Sequence, residues 1–213
     1  MIGLDPLFKR WTVPDRGALF VVSGPSGSGK TTLLREALRV IPGLEFSVSA
    51  TTRAPRVGEV DGVDYHFVDH DKFRSLLADN ALLEHAEVYG NYYGTPRAPV
   101  EAALAEGRSI VLDIDVQGAE QVRRSHTEAV SVFILPPSLV TIERRLRGRG
   151  LDDDSIVERR VREADEQLAA AGDYDFLVLN DDLDAAHGQL QSILVAELLR
   201  RSRRESWIQA ARR

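Results

Sequence analysis

Short apolar runs alternate with segments of helical periodicity along most of the chain. The first run, at 18–23, leads into a glycine-rich turn and then into 31–40, where leucine and alanine recur at the spacing of one helix face. Similar apolar runs, each followed by a segment of helical pattern, lie at 109–115, 130–135 and 176–180. Strands that alternate with helices predict a parallel sheet covered by helices on both faces, which is an α/β fold.

Two stretches interrupt this alternation. Residues 47–107 are rich in Thr, Val, Tyr and Gly and carry turn dipeptides, so they predict an inserted mixed α/β subdomain of short antiparallel strands with one helix near 72–80. Residues 139–172 are strongly charged and helical in pattern, but Gly148 and Gly150 interrupt them, which favours a helical lid that moves. The core of the fold is then expected from three segments, 17–46, 108–138 and 173–199.

The two ends of the chain fall outside this expected domain of 17–199. Residues 1–16 form an N-terminal extension with little periodic signal. Six arginines occupy a basic C-terminal tail, 200–213. The favoured interpretation of the tail is a solvated helix end, and the alternative is an anion-binding role.

Composition narrows the possible functions. The net charge of −6 argues against general nucleic-acid binding, so no nucleic-acid partner is expected. The absence of cysteine excludes disulfides, cysteine-bound zinc and thiol catalysis. The apolar runs are far shorter than the roughly 20 residues of a membrane helix, and no secretory signal pattern is present, so we expect a cytoplasmic protein with no membrane partner. The sequence does not indicate an oligomeric state.

Arginine dominates the basic residues. Of the 27 basic side chains only Lys9, Lys30 and Lys72 are lysines, and the other 24 are arginines. A genome bias or a need for planar phosphate-binding forks could each produce this excess, and composition leaves both explanations open.

The glycine-rich turn at 24–31 matches the phosphate-loop pattern G-x-x-x-x-G-K-S/T and lies between a predicted strand and a predicted helix, as that motif requires. Glycines let backbone N–H groups surround phosphate oxygens, and the helix N-terminus adds partial positive charge. Lys30 would reach the β- and γ-phosphates, and the Thr31 hydroxyl would bind Mg²⁺. The motif consists of Gly24, Pro25, Ser26, Gly27, Ser28, Gly29, Lys30 and Thr31.

Two further groups of residues suit a nucleotide site. The run at 109–115 ends in Asp113 and Asp115, which would lie on the same face of a strand and could hold Mg²⁺ through water; an acidic strand end or helix cap is the alternative. The stretch 47–67 combines hydroxyls with Arg53, Arg56 and Tyr65, which are donors that a phosphate monoester needs. Without the phosphate loop, a solvated loop would be the better interpretation of that stretch.

Seven separated motifs together resemble the guanylate kinase family. In chain order they are GPSGSGKTT, SVSATTRAPRVGEVDGVDYHF, LLEHAEVYGNYYGTPR, VLDIDVQGA, FILPPS, ERRLRGRG and VLNDDLD. The resemblance implies transfer of the γ-phosphoryl group of ATP to GMP, with Mg²⁺ as cofactor, in guanine nucleotide supply and recycling. It also implies dGMP as a further acceptor, and a parallel phosphate-loop core with a GMP-binding subdomain and a helical lid.

Carried over position by position, the resemblance implies a GMP site in the inserted subdomain. Glu84 would face the guanine edge, where a carboxylate accepts hydrogen bonds from N1–H and the exocyclic amine, with hydroxyls from Ser49 and Thr95. The remaining residues assigned to GMP are Arg53, Arg56, Tyr65, Tyr93, Asp113 and Asp115.

The resemblance also implies residues for ATP and for phosphoryl transfer. Arg145, Asn180 and Asp181 would join the phosphate loop and Thr32 in binding ATP. The catalytic group would be Lys30, Arg56 and two lid arginines, Arg149 and Arg160, which neutralise charge on the transferring phosphoryl group.

Two other functions remain as alternatives. Guanylate-kinase-like modules of scaffolding proteins keep the fold and bind phosphopeptides without catalysis, but the intact Lys30 and Thr31 argue against that class. A kinase of another nucleoside monophosphate is disfavoured because Glu84 with Ser49 suits guanine.

Overall fold

A computed structural model describes residues 11–12, 14–88, 90–148 and 153–213. Its core is a five-stranded parallel sheet in the order β2-β7-β1-β8-β9. The strands are β1 (Leu19–Ser23), β2 (Leu44–Phe46), β7 (Ser109–Asp113), β8 (Val130–Leu135) and β9 (Phe176–Leu179). The predicted α/β class with a parallel sheet is therefore confirmed. The central strand β1 is buried along its whole length, as expected for a strand covered on both faces.

Helices cover both faces of this sheet. On one face α1 (Lys30–Val40) and α7 (Leu183–Leu198) pack their leucines against Phe20, Val22 and Val132. On the other face lie α3 (Arg97–Ala105) and α4 (Val116–Ser125). Because the strands are parallel, their carboxyl ends meet at one edge of the sheet, where the glycine-rich turn after β1 also lies.

A second, four-stranded sheet lies in the stretch 47–107, in the order β4-β3-β6-β5. Its strands are β3 (Ala50–Thr51), β4 (His66–Phe67), β5 (Leu82–Val88) and β6 (Asn91–Pro96), with α2 (His70–Ala78) packed on it through Phe73. The pairs β3–β6 and β5–β6 are antiparallel as predicted, but β3 and β4 are parallel. The expectation of antiparallel pairing was wrong for this one pair, because the long loop after β3 crosses over before β4 begins.

The charged stretch 139–172 contains α5 (Leu139–Arg147), α6 (Asp154–Leu168) and a short 3₁₀ helix (Ala169–Asp173). The two α-helices pack through a small apolar cluster of Ile142, Leu146, Val157 and Ala164. Gly148 ends α5 in a helical conformation, whereas Gly150 lies outside the described residues. Movement of this segment stays a prediction.

The basic tail is only partly solvated. Arg203 is buried and donates to Glu197 (3.0 Å) and to the carbonyl oxygen of Gly17 (2.6 Å). Arg204 is buried between the rings of Trp11 and Trp207, at 4.7 and 4.6 Å from their centroids. The solvated interpretation was wrong for these two arginines, because carbonyl, carboxylate and aromatic partners replace their water.

Among the described residues, no helix is long and apolar enough to cross a membrane.

Candidate functional site

The turn between β1 and α1 has a backbone that only glycine adopts easily. Gly24, Gly27 and Gly29 have φ angles of 144°, 86° and 95°, in the left-handed region that disfavours side chains. A Cβ on Gly24 would also lie 2.5 Å from the carbonyl oxygen of Ile134. The spacing of glycines in the motif therefore reflects the shape of this loop.

Lys30 begins α1 at the closed end of the loop. Its Nζ donates to the carbonyl oxygen of Gly24 (2.6 Å), so the ammonium group lies across the loop. The first turn of α1 carries no acidic residue, which leaves the positive end of the helix dipole uncancelled there. A cavity of about 150 Å³ opens at this point, lined by Pro25, Ser26, Gly27, Gly29, Lys30, Thr31, Thr32 and Asp113.

Two side chains hold the loop from outside. Nδ2 of the buried Asn180, which follows β9, donates to the carbonyl oxygen of Ser28 (2.6 Å). Arg145 of α5 donates to the carbonyl oxygens of Gly27 and Ser28 (both 3.2 Å) and of Asn180 (3.1 Å). Arg145 and Asn180 therefore fix the backbone of the loop and link it to the helix pair α5–α6.

The two carboxylates after β7 do not project from one strand face. The strand ends at Asp113, and Asp115 is the N-cap of α4, where it accepts from the N–H of Gly118 (2.8 Å). The expectation that both carboxylates lie on one strand face was wrong, because the strand ends at Asp113 and a single residue, Ile114, separates it from the N-cap of α4. Asp113 lines the cavity of the loop; desolvation by the surrounding protein raises its pKa, and the charge of Lys30 opposes the rise.

Glu84 is a buried carboxylate on β5, and it accepts from the Thr95 hydroxyl (2.6 Å). The β5–β6 register shifts between Leu82 and His85, so two residues of β5 lie opposite one residue of β6. This bulge turns Glu84 inward and leaves three successive residues of β5 buried. Burial, assisted by the charge of Asp115 and opposed by the Thr95 hydrogen bond, raises the Glu84 pKa to about 7.

Arg53 lies beside a group of aromatic side chains. Its guanidinium group forms two hydrogen bonds to Glu59 (2.8 and 3.0 Å) and lies 5.3 Å from the ring centroid of Tyr65. The rings of Tyr65 and Tyr93 meet edge to face at 6.0 Å. The Glu59 carboxylate raises the Arg53 pKa, and the Arg53 guanidinium lowers the pKa of Glu59.

The sequence and the structure of the chain were compared with those of known proteins. The guanylate kinase family model matches residues 16–197. The chain belongs to the guanylate kinase family. It is 52% identical to a guanylate kinase of Rhodospirillum rubrum over 90% of this chain and 88% of that protein, and 50% identical to one of Carboxydothermus hydrogenoformans over 88% and 92%. The crystal structure of guanylate kinase from Anaplasma phagocytophilum matches with a TM-score of 0.74 at 34% identity, covering 90% of this chain and 92% of that one.

As a member of the guanylate kinases, the protein is an enzyme of the phosphotransferase class. For the remaining residues assigned from the sequence, the structure gives the element and the burial. Ser49 is half-buried just before β3, Arg56 and Asp181 are exposed, and Arg160 is half-buried on α6. Arg149 lies outside the described residues.

Sequence reasoning missed three residues of this guanylate kinase site. Glu59 pairs with Arg53, and Gln121 forms hydrogen bonds with the backbone of His85 beside Glu84. A Cβ on Gly118 would lie 2.4 Å from Oε2 of Glu84. Glu59 and Gly118 lie inside the quoted motifs, but no spacing rule connects them with their partners, because these contacts arise only when separate elements pack.

Proposed function

We propose that the protein transfers the γ-phosphoryl group of ATP to GMP, giving ADP and GDP, with Mg²⁺ as cofactor and guanine nucleotide supply as its role. The observation that carries the proposal is the position of the segment from Asp113 to Asp115. Asp113 lines the phosphate-loop cavity together with Lys30, and Asp115 caps helix α4, whose Gly118 packs against the Glu84 carboxylate. The phosphate loop and Glu84, the carboxylate proposed to bind the second base, therefore lie against one short segment, which supports two nucleotides bound side by side at the carboxyl ends of the parallel strands.

The donor half of the site would hold ATP through backbone and charge. The N–H groups of the loop and of the first turn of α1 would surround the β- and γ-phosphates, and Lys30 would exchange its carbonyl partner on Gly24 for phosphate oxygens. Asn180 and Arg145 would keep the loop in shape while the nucleotide binds. Thr32 and Asp181 are the further proposed ATP contacts.

The donor atoms available for a metal fit Mg²⁺. Thr31 offers a hydroxyl oxygen and Asp113 a carboxylate in the same cavity, and Mg²⁺ prefers oxygen ligands. Within the described residues no cluster of three or more acidic, histidine or cysteine side chains could hold a metal by itself, which suits an ion held mainly by nucleotide phosphates and water, with Asp113 or Asp115 acting through water. The ion would supply positive charge to the β- and γ-phosphate oxygens.

The acceptor half would recognise GMP by its base and its phosphate. The ionised Glu84 carboxylate would accept from guanine N1–H and from the exocyclic amine, which adenine does not present in that arrangement. Ser49 and Thr95 would add hydroxyls around the base. Arg53, Arg56, Tyr65 and Tyr93 would donate to the phosphate of GMP.

The transfer step needs no general base. The second pKa of a phosphate monoester is about 6, so the attacking GMP oxygen is already largely ionised at neutral pH. That oxygen forms a bond to the γ-phosphorus while the bond to the bridging oxygen breaks and ADP leaves with the electron pair. Lys30, Arg56, Arg149 and Arg160 would reduce repulsion between the two anions, and closure of the helical lid would exclude water.

The test is ADP release from ATP and Mg²⁺ with GMP, dGMP, AMP, CMP and UMP offered separately. We expect rapid turnover with GMP and dGMP alone, and loss of turnover when a chelator removes Mg²⁺. Turnover with AMP or a pyrimidine nucleotide instead would show that the base assignment is wrong. Folded protein that is silent with every acceptor would favour a phosphopeptide-binding module.

A further inference from the structure

The strand that carries Glu84 is contacted on its outer side by the side chain of Gln121 in α4. Strand β5 forms one edge of the four-stranded sheet, with β6 on its inner side. On the other side, the carboxamide of Gln121 accepts from the N–H of His85 (3.1 Å) and donates to the carbonyl oxygen of His85 (2.7 Å). Gln121 therefore pairs with the edge as a residue of a neighbouring strand would.

The paired residue marks the end of the bulge. The register shift closes at His85, immediately after Glu84. A bulge interrupts the hydrogen-bond ladder between two strands. The direction of the side chains at a bulge therefore depends on the contacts that hold the backbone around it. Because Gln121 bonds the N–H and the carbonyl oxygen of His85, it fixes the peptide units on both sides of His85, including the one that joins His85 to Glu84.

The same face of α4 also accommodates the Glu84 side chain. Gly118 lies three residues before Gln121, so the two positions are neighbours on one side of the helix. The Oε2 atom of Glu84 occupies the space that a side chain at Gly118 would need, at 2.4 Å from an added Cβ. One helix of the core therefore provides both the room for the carboxylate and the contact that holds its strand.

We propose that Gln121 is a positioning residue for guanine recognition, which acts by holding the β5 bulge so that Glu84 faces the base. The inference rests on the proposed function, since it assigns a task within the GMP pocket. The proposed role of Gln121 involves no contact with the nucleotide. It acts through the His85 backbone, and Gly118 acts on the same carboxylate by leaving space for it.

The two hydrogen bonds lie near the surface, so their loss is separable from unfolding. His85 is exposed, and water can bond to its N–H and carbonyl oxygen when Gln121 is replaced. The net contribution of such bonds to stability is small compared with the penalty for a buried unpaired group. Removing the carboxamide should therefore loosen the direction of Glu84 while the sheet and the phosphate loop stay formed.

The test compares GMP with inosine monophosphate, which keeps N1–H but lacks the exocyclic amine. The main variant is Gln121→Met, which keeps the length of the side chain and removes both hydrogen bonds. We expect its kcat/KM ratio of GMP over inosine monophosphate to fall about tenfold through KM, with KM for ATP unchanged. The matched control is Glu120→Gln on the exposed side of the same helix, where only the pair with Arg124 is lost.

A second variant approaches the same carboxylate independently. Gly118→Ala leaves the Gln121 contact in place and displaces Glu84 directly, so it should lower the same ratio. Melting temperatures of all variants identify any that fail to fold.

An unchanged ratio in folded Gln121→Met, with a wild-type enzyme that discriminates between the two acceptors, would overturn the positioning role alone. A wild-type protein that does not use GMP would overturn the proposed function, and the inference with it.

Discussion

The two halves of the candidate site differ in the groups that would contact the ligand. The donor half is mainly backbone: a glycine loop and a helix start, held from outside by Asn180 and Arg145. The acceptor half is mainly side chains that bind one another, Glu84 with Thr95 and Arg53 with Glu59. In the first, the groups that would meet the ligand are fixed before it arrives. In the second, pairs within the protein hold the groups in place and share their hydrogen-bonding capacity with the ligand.

Because of this difference, the two halves should respond differently to substitution. Backbone N–H groups are kept whatever the neighbouring side chains are, as long as the loop keeps its shape. In the donor half, the ammonium group of Lys30 is therefore the main ligand-binding group that a substitution can remove. Side-chain donors and acceptors can each be removed separately, and their pKa values respond to burial. The donor half should therefore lose function all at once, and the acceptor half in steps.

The largest effect is expected at Lys30. Lys30→Ala removes the positive charge that would bridge the β- and γ-phosphates, so kcat should fall on the order of 10³-fold. Steady-state ADP release measures the change. Lys72→Ala, at an exposed position on α2, is the matched control. Turnover of Lys30→Ala near the wild-type rate would show that the phosphate-loop assignment is wrong.

The next effect concerns Glu84 and pH. Its folded pKa of about 7 exceeds the ordinary 4.5, so the folded state binds the proton more tightly and the free energy of unfolding falls as pH rises from about 4.5 to about 7. Glu84→Gln removes the charge that burial disfavours. At pH 8 the ligand-free variant should therefore be more stable by about 3 kcal/mol, with the gain shrinking toward zero as pH falls to about 4.5.

Urea unfolding at pH 8 and pH 5 measures this gain, and Glu87→Gln, exposed on the same strand, is the control. Glu84→Gln should also lose preference for GMP over AMP, because the amide presents an NH₂ donor where one of the two carboxylate oxygens would accept from guanine. Higher stability joined to lost selectivity would show that the acceptor half keeps a costly charge for recognition. A variant that is less stable than wild type at pH 8 would contradict the raised pKa.

Sequence alone predicted the donor half better than the acceptor half for a physical reason. The phosphate loop is contiguous, and its glycines are required by backbone angles that are local to the motif, so the pattern and the geometry coincide. Four of the five core strands were predicted to within two residues for the same reason, since each is a continuous apolar run, whereas the three-residue strand β2 was not predicted. Helix α3 was not predicted. The strands β3 and β4 pair in parallel and not antiparallel as predicted, because the loop that crosses over between them leaves no periodic signal.

The acceptor half depends on contacts between distant parts of the chain. Glu84 was assigned by resemblance, and its own neighbourhood gives no sign that a one-residue bulge turns it inward. The Gln121 contact with His85 joins residues 36 positions apart on different elements. Such contacts follow from packing of the finished fold and not from spacing along the chain.

A substitution of Asn180 tests whether the phosphate loop keeps its backbone conformation without side-chain contacts from outside the motif. Asn180→Ala removes one of two donors to the buried carbonyl oxygen of Ser28 and leaves Arg145 as the other, so the free energy of unfolding should fall by about 1 kcal/mol. KM for ATP should rise about tenfold, since a looser loop must be ordered by the nucleotide. Gln189→Ala, exposed on α7, is the control. An unchanged KM for ATP would mean that the loop holds its shape without outside support.

The smallest change in KM is expected for a substitution of Glu59. Its sign shows whether Glu59 holds Arg53 in place for the GMP phosphate or competes with that phosphate for Arg53. Glu59→Gln weakens the two hydrogen bonds that orient Arg53, while the guanidinium charge that would attract the GMP phosphate is kept. The pair is partly exposed to solvent, so KM for GMP should rise only about two- to fivefold, with KM for ATP unchanged. Glu106→Gln, which loses an exposed pair with Arg108, is the control for general charge effects. A lower KM for GMP would reverse the interpretation, because Glu59 would then compete with the phosphate for Arg53 and would not hold it ready.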